Sequence, residues 1–310
     1  MRGIDLANPL TVANAAWRLP AAVATAGRIL RRNRSEVVIG TGGYVCVPVV
    51  FAAAAQRIPV VLLEQNAVPG RATRLLAPRA KVVATSFAET AVHLPKARVV
   101  LTGNPIRREV RSLVPAPRRD SCSTLLVMGG SQGARTLNRA LTGCLRDMLE
   151  EHEQLRVIHQ CGALDEDSVR AFAETLPGAQ RERYMLAPFF TDLAARIAES
   201  DVVLMRAGGS SLAECAALGR AMILVPYPHA GGHQLHNVLP YVSAGAAAHI
   251  PDSECTPERV RREVGVLLRD AARWRAMCDA SAAMGKPDAA LDVVQLVRDA
   301  AAARTARRAS

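Results

Sequence analysis

The sequence predicts an α/β protein built from two Rossmann-like domains. Short, almost wholly apolar runs alternate with longer segments of helical periodicity, the pattern of a parallel sheet covered on both faces. The rhythm pauses at a charged stretch with two prolines, RSLVPAPRRDSCS (111–123), and then restarts, which is how an interdomain linker reads. Four glycine clusters each follow an apolar run, the place where loops at the carboxyl ends of strands feed helix N-termini and where such sheets bind ligands.

Taken in order, residues 9–32 space their apolar side chains as a helix with a basic end, with Pro20 as a break or kink. SEVVIG (35–40), IPVVLLEQN (58–66), KVVATS (81–86) and ARVVLTGNP (97–105) are buried strands of the first sheet. After the linker come strand TLLVMGG (124–130), a helix over about 133–150, and strands LRVIHQCG (155–162), ERYMLAPF (182–189), DVVLM (201–205), AMILVPY (221–227) and AAAHI (246–250). Helices separate them, and a helical tail rich in Ala and Arg closes the chain. The domains are expected at 1–115 and 116–310, the second more complete than the first.

Half of the 310 residues are apolar but only 4% are aromatic, so the cores are built from aliphatic side chains. That argues against a base-stacking nucleic-acid module. Residues 1–119 carry 18 Lys and Arg against 5 Asp and Glu, whereas 120–310 carry 21 against 23. A polyanionic partner is therefore expected for the first domain alone, either nucleic acid or an anionic membrane surface. The seven cysteines show no C-x-x-C spacing and read as reduced packing residues. No apolar run approaches the roughly 18 residues of a transmembrane helix, and the N-terminus makes a poor signal peptide.

GGSQGA (129–134) lets backbone N–H groups from Ser131 onward face a phosphate, aided by the dipole of the following helix. It is neither a nucleoside-triphosphate P-loop nor a full dinucleotide fingerprint, which disfavours a nicotinamide-dependent oxidoreductase. RAGGSSLAE (206–214) repeats the same physics. Its Glu214 has two readings: an acceptor for a ribose diol, or the far member of a capping box, S-x-x-E, begun by Ser211. Both stand at this stage. PYPHAGGHQLHN (226–237) places His229, His233, Gln234, His236 and Asn237 on a loop after a strand. Without H-E-x-x-H spacing or acidic neighbours, sugar hydroxyls suit it better than a metal. No metal and no cofactor are expected.

GTGGYV, EQNAVPG, TGNPIRREV, VMGGSQGARTLN, HQCG, RAGGSSLAECAALG and ILVPYPHA…HQLHN occur in that order. In order and spacing, over about residues 5–300, they resemble the MurG family of UDP-N-acetylglucosamine:N-acetylmuramyl-(pentapeptide) pyrophosphoryl-undecaprenol N-acetylglucosamine transferases. The resemblance implies a GT-B fold, two Rossmann-like domains facing a cleft, and leaves open a last helix crossing back to the first domain. It implies an inverting transfer from UDP-N-acetylglucosamine to lipid I, giving lipid II for peptidoglycan, at the cytoplasmic face of the cell membrane. The basic first domain then suits an anionic membrane surface and an undecaprenyl-pyrophosphoryl lipid acceptor, and nucleic acid is not expected as a partner. Residue by residue, Ser131 would contact the diphosphate and the backbone of Phe190 the uracil edge. The mouth formed by Gly208, Gly209, Ser210 and Ser211 would take phosphate, Glu214 the ribose hydroxyls, and Gln234 with His233 the sugar hydroxyls. Asn66 and Arg107 would reach across from the first domain.

Departures from the family pattern fall mostly on the acceptor side. No G-G-T-G-G-H occurs in the 310 residues, so the family's general-base histidine has no counterpart and the catalytic base is unassigned. Leu63 stands for the histidine of the family's HEQN, Cys46 and Val47 stand for Ser and Gly, and Gly231 and Gly232 replace an acidic pair. The first domain is accordingly expected to be truncated. The alternative reading is a catalytically weak UDP-sugar-binding or scaffold protein at the membrane, completed by a partner chain.

Overall fold

The computed structural model describes residues 9–116, 120–130, 133–228 and 232–309. Its contacts divide the chain into Met1–Asn104 with Asp288–Ser310, and Pro105–Pro287.

The first unit carries a four-stranded parallel sheet in the order β1-β2-β3-β4: β1 (Val38–Gly40), β2 (Val60–Glu64), β3 (Val82–Thr85) and β4 (Val99–Leu101). Alternation along β2 shows why its run is unbroken. Val60 and Leu62 join a cluster with α1 (Pro9–Arg32) and α2 (Cys46–Ala55), while Val61 faces Ala300 of α13 (Ala289–Ala309) on the other side. A strand covered on both faces reads as a near-continuous apolar run, here closed by the buried Glu64. Helix α1 continues through Pro20, which is exposed, instead of breaking there. On α13, Ala289, Val293 and Ala300 are buried at helical spacing, and Arg304 donates to the carbonyl oxygens of Ser35 and Glu36 ahead of β1.

The second unit holds a six-stranded parallel sheet in the order β10-β9-β8-β5-β6-β7. Its strands are β5 (Thr124–Met128), β6 (Arg156–Gln160), β7 (Tyr184–Ala187), β8 (Val202–Met205), β9 (Ala221–Leu224) and β10 (Ala247–His249). Strand order reverses between β5 and β8, the position at which doubly wound sheets open a crevice. The strands end level: Met128 pairs with both Gln160 and Met205, Gln160 with Ala187, and Met205 with Leu224. Helix α5 (Arg135–Glu151) buries Leu137, Leu141, Cys144, Leu145, Met148 and Leu149 against β5 and α11 (Pro257–Arg269). Each such side chain removed from water is worth about 1.5–3 kcal/mol. A Cβ on Gly143 would lie 2.5 Å from the Pro257 ring, so glycine there sets how closely α5 meets the start of α11.

The division by contacts falls at Asn104/Pro105 instead of 115/116. Helix α4 (Arg108–Arg111), within the stretch expected to close the first domain, packs on α8 (Leu193–Glu199) and α9 (Gly209–Ala217) of the second unit. All seven cysteines are free thiols, and burial pushes Cys144 up to about 12 and Cys255 to about 11.

A polar network lies under β6. His159, fully buried, meets the Tyr184 hydroxyl at 2.7 Å through Nδ1 and the Asn138 carbonyl oxygen at 2.9 Å through Nε2. Asn138 Nδ2 donates to the Cys161 carbonyl and to Asp165, each at 2.8 Å. Its Oδ1 must therefore accept, which fixes the His159 proton on Nε2 and makes Tyr184 donate to Nδ1. Burial lowers the His159 pKa to about 3. The native state then binds fewer protons than the unfolded chain between about pH 6.5 and 3, so stability falls as pH is lowered through that window. Between pH 7 and 5 this one group is expected to cost about 2 kcal/mol. Denaturant unfolding of His159→Gln should show that much less acid sensitivity over the interval; an identical pH slope in variant and parent would refute the assignment.

Candidate functional site

The exits of β5, β6, β7, β8 and β9 meet at one end of the six-stranded sheet, and each carries a motif from the sequence. After β5, Gly129 and Gly133 are wedged against backbone: a Cβ on Gly129 would sit 2.3 Å from Ala134 N, and one on Gly133 2.2 Å from the Cys161 carbonyl oxygen. Gly130 and Gly133 also adopt positive φ, 86° and 75°, which side-chain-bearing residues rarely accept. Ser131 lies outside the described residues.

After β8, helix α9 begins at Gly208 with no side-chain cap. Gly208 and Gly209 leave its first N–H groups uncovered by a Cβ, and an uncapped helix N-terminus favours an anion. Ser210 is exposed and Ser211 half-buried on the first turn. Ser211 is not the cap, and its hydroxyl makes no hydrogen bond among the described residues. The capping-box reading of Ser211 and Glu214 therefore fails.

Glu214 is held from elsewhere. Arg107 donates through Nε to Oε1 at 2.7 Å and through Nη2 to Oε2 at 2.8 Å, with the Glu214 side chain 9% exposed and that of Arg107 43%. Such a fork fixes the plane of the carboxylate. A carboxylate offers about four acceptor directions, so two remain for other donors. Arg107, expected to reach across from the first domain, belongs to the second unit, because α4 is folded onto α8 and α9.

The segment expected to be a loop as far as Asn237 becomes helix α10 (His233–Ser243), started by Gly232 at φ 71°. Two of its side-chain amides grip the residue ahead of the α9 mouth: Gln234 Oε1 accepts from Ala207 N at 3.2 Å, and Asn237 Nδ2 donates to Ala207 O at 3.2 Å. Gln234 Oε1 also accepts from Tyr227 N at 2.9 Å. Both partners are N–H donors, so the amide orientation is fixed and its NH2 makes no hydrogen bond among the described residues. His233 begins the same helix, half-buried. Arg206 is tied by Nη1 to the Val225 carbonyl at 3.1 Å and to Asp252.

After β7, Phe190 N donates to Gln160 Oε1 at 3.2 Å, and Arg196 lies 5.8 Å from the Phe190 ring centre. Gln160, the last residue of β6, is 2% exposed and also donates through Nε2 to Gly130 O at 3.3 Å. The HQCG motif alone assigns this glutamine no task; the signal that marks it is a polar pair ending an otherwise apolar strand. In the first unit, Asn66 donates through its backbone N and through Nδ2 to Glu64 Oε1, both at 3.1 Å, and Glu64 Oε2 accepts from Gly70 N. The buried Glu64 thus shapes the 64–70 turn. No group of His, Cys, Asp and Glu among the described residues is arranged to hold a metal ion.

Residues 124–293 match the glycosyltransferase family 28 C-terminal domain and residues 9–85 its N-terminal domain. A UDP-N-acetylglucosamine–N-acetylmuramyl-(pentapeptide) pyrophosphoryl-undecaprenol N-acetylglucosamine transferase of Desulforudis audaxviator is 38% identical over 95% of this chain and 81% of that protein. The chain belongs to the MurG family. A protein of the same name from Halothermothrix orenii is 38% identical over 89% of this MurG-family chain and 77% of its own length. The crystal structure of Acinetobacter baumannii MurG superposes with a TM-score of 0.73 at 30% identity, covering 92% of this chain and 79% of that one. The two parallel-sheet units are thus those of a GT-B glycosyltransferase, as the MurG motifs implied.

With Gly208 as the cap, Ser211→Ala should lower the unfolding free energy of the ligand-free MurG-family chain by less than about 0.5 kcal/mol. A loss near 1 kcal/mol, the size of a removed cap, would restore the capping box.

Proposed function

We propose that this chain transfers N-acetylglucosamine from UDP-N-acetylglucosamine to an N-acetylmuramyl-(pentapeptide) pyrophosphoryl-undecaprenol acceptor, and that its second unit binds the donor. The observation that carries the reading is the pairing, at the switch point of the six-stranded sheet, of an uncapped helix mouth with a buried, Arg-oriented carboxylate. Relatives bearing that activity in their name match the chain across both units. In this proposal the N–H groups at Gly208–Ser211, with Ser131, receive the diphosphate. The α9 dipole stabilises the negative charge that grows on the departing UDP. Glu214 accepts from the ribose diol while Arg107 holds it in plane. Phe190 meets the uracil edge through its backbone, and the free NH2 of Gln234, beside His233, donates to sugar hydroxyls. The base that deprotonates the acceptor hydroxyl is unassigned.

Transfer should be measured as UDP release from UDP-N-acetylglucosamine with the lipid acceptor present, alongside UDP binding by calorimetry. Glu214→Gln keeps a neutral amide where the carboxylate was and is expected to weaken UDP binding roughly tenfold, the worth of a charge-assisted hydrogen bond. A parent chain that neither binds UDP nor transfers the sugar would overturn the proposal. UDP binding without transfer would favour the sugar-binding or scaffold reading.

The acceptor's lipid tail places the reaction at a membrane, and we propose peripheral contact through the first unit at the cytoplasmic face. No described helix is long and apolar enough to cross a bilayer. Between α1 and α2 lies an apolar hollow of about 410 Å³, lined by Ala22, Ile29, Val45 and Val49 among others. Ile29 and Val45 are exposed there, and Arg28, Arg31 and Arg32 are exposed on the same helix as Ile29. Exposed apolar side chains on a helix that also carries exposed cations suit an anionic interface. Co-sedimentation with phosphatidylglycerol vesicles is expected, reduced by Val45→Glu and by high salt; equal binding to phosphatidylcholine alone would count against the electrostatic part.

A further inference from the structure

We propose that the outer face of α10 is the contact surface of a two-fold dimer of this chain.

Helix α10 is apolar on two sides. Val238 and Tyr241 are buried, whereas Leu235, Leu239 and Val242 form a second stripe that is 43%, 51% and 38% exposed. Their i, i+4, i+7 spacing sets them in one ridge along the helix, because positions three and four apart share a face. A helix that is apolar all round belongs to a covered position, yet in the single chain α10 is covered on one side. Its place in the fold leaves the other side open: α10 connects β9 to β10, and β10 is an edge strand of the six-stranded sheet.

Charge selects the occupant. From Ala221 to Pro251 the sequence holds no Asp, Glu, Lys or Arg, although 22% of the whole chain is charged. An anionic membrane draws on cations, which helix α1 exposes and this segment lacks. A two-fold contact makes the opposite demand. It brings one patch against its own copy, so a charge near the axis meets its like, and a face with none is self-complementary. Two such ridges pack antiparallel with the helix axes roughly 8–10 Å apart, and Leu239, the middle of the three, then lies nearest the two-fold axis. Helix α10 is only about 16 Å long. It offers too little surface for the roughly 1,200 Å² of a stable interface, so the dimer is weak, with a Kd on the order of 10 µM.

Sedimentation velocity of the full chain at rising concentration should show monomer and dimer in exchange. Leu239→Glu sets two carboxylates together at the axis and is expected to weaken the dimer at least about a hundredfold. Mixing it with Leu239→Lys should restore association to within about tenfold of the parent. Val242→Glu, at the end of the same ridge, should also weaken the dimer and gives an independent reading if Leu239→Glu does not fold. A parent that sediments as a monomer up to about 100 µM would overturn the inference. So would a dimer whose Kd is unchanged in both glutamate variants, each with the thermal midpoint of the parent. A monomeric parent whose vesicle binding is lost in Leu239→Glu would also overturn it, and would assign the stripe to lipid.

Discussion

The second unit depends on the register between β5 and β8, because those two strands flank the switch point and the glycine loop and the α9 mouth are hung from their ends. Asp201 sets that register from the opposite end of the sheet. Its carboxylate accepts from the backbone N–H groups of Ser123 and Thr124 at 2.9 and 2.8 Å, its own N–H donates to Thr124 O at 2.8 Å, and its carbonyl accepts from Trp274 Nε1 at 3.1 Å. The burial of this carboxylate is offset by the two backbone donors on its Oδ2. A slip of one residue would turn every side chain of β5 to the opposite face and carry the glycine loop away from the α9 mouth.

The loops above are stiffened by side chains from adjacent elements more than by their own. Gln160 joins the exits of β5 and β7, Gln234 and Asn237 grip Ala207 at the exit of β8, and Arg107 orients Glu214. Glycine-rich backbone brings no rigidity of its own, so an anion site made of N–H groups needs such braces to hold its shape before the ligand arrives.

The strands were legible in the sequence because burial on both faces leaves no ambiguity in runs such as TLLVM and DVVLM, and the glycine clusters marked which ends of them matter. What sequence reasoning missed is long-range. Nothing local in RAGGSSLAE says whether Glu214 turns back to cap its helix or outward to a partner 107 residues earlier in the chain. Arg107 was read with the strand it follows, yet α4 takes its packing from α8 and α9. HQLHN looked like loop because its polar residues are dense; they are dense because a helix start is pressed against backbone that needs both a donor and an acceptor.

That last contact bears on how sugar preference can change in such a protein. Gln234 gives its oxygen to the scaffold, and its NH2 is the group proposed to meet the sugar, so a replacement that altered that contact would also loosen the turn proposed to present the phosphate. Variation at this position is therefore pleiotropic within a single site. Drift towards a new hexose would have to enter through neighbouring positions outside this brace, or wait for a compensating change near Ala207.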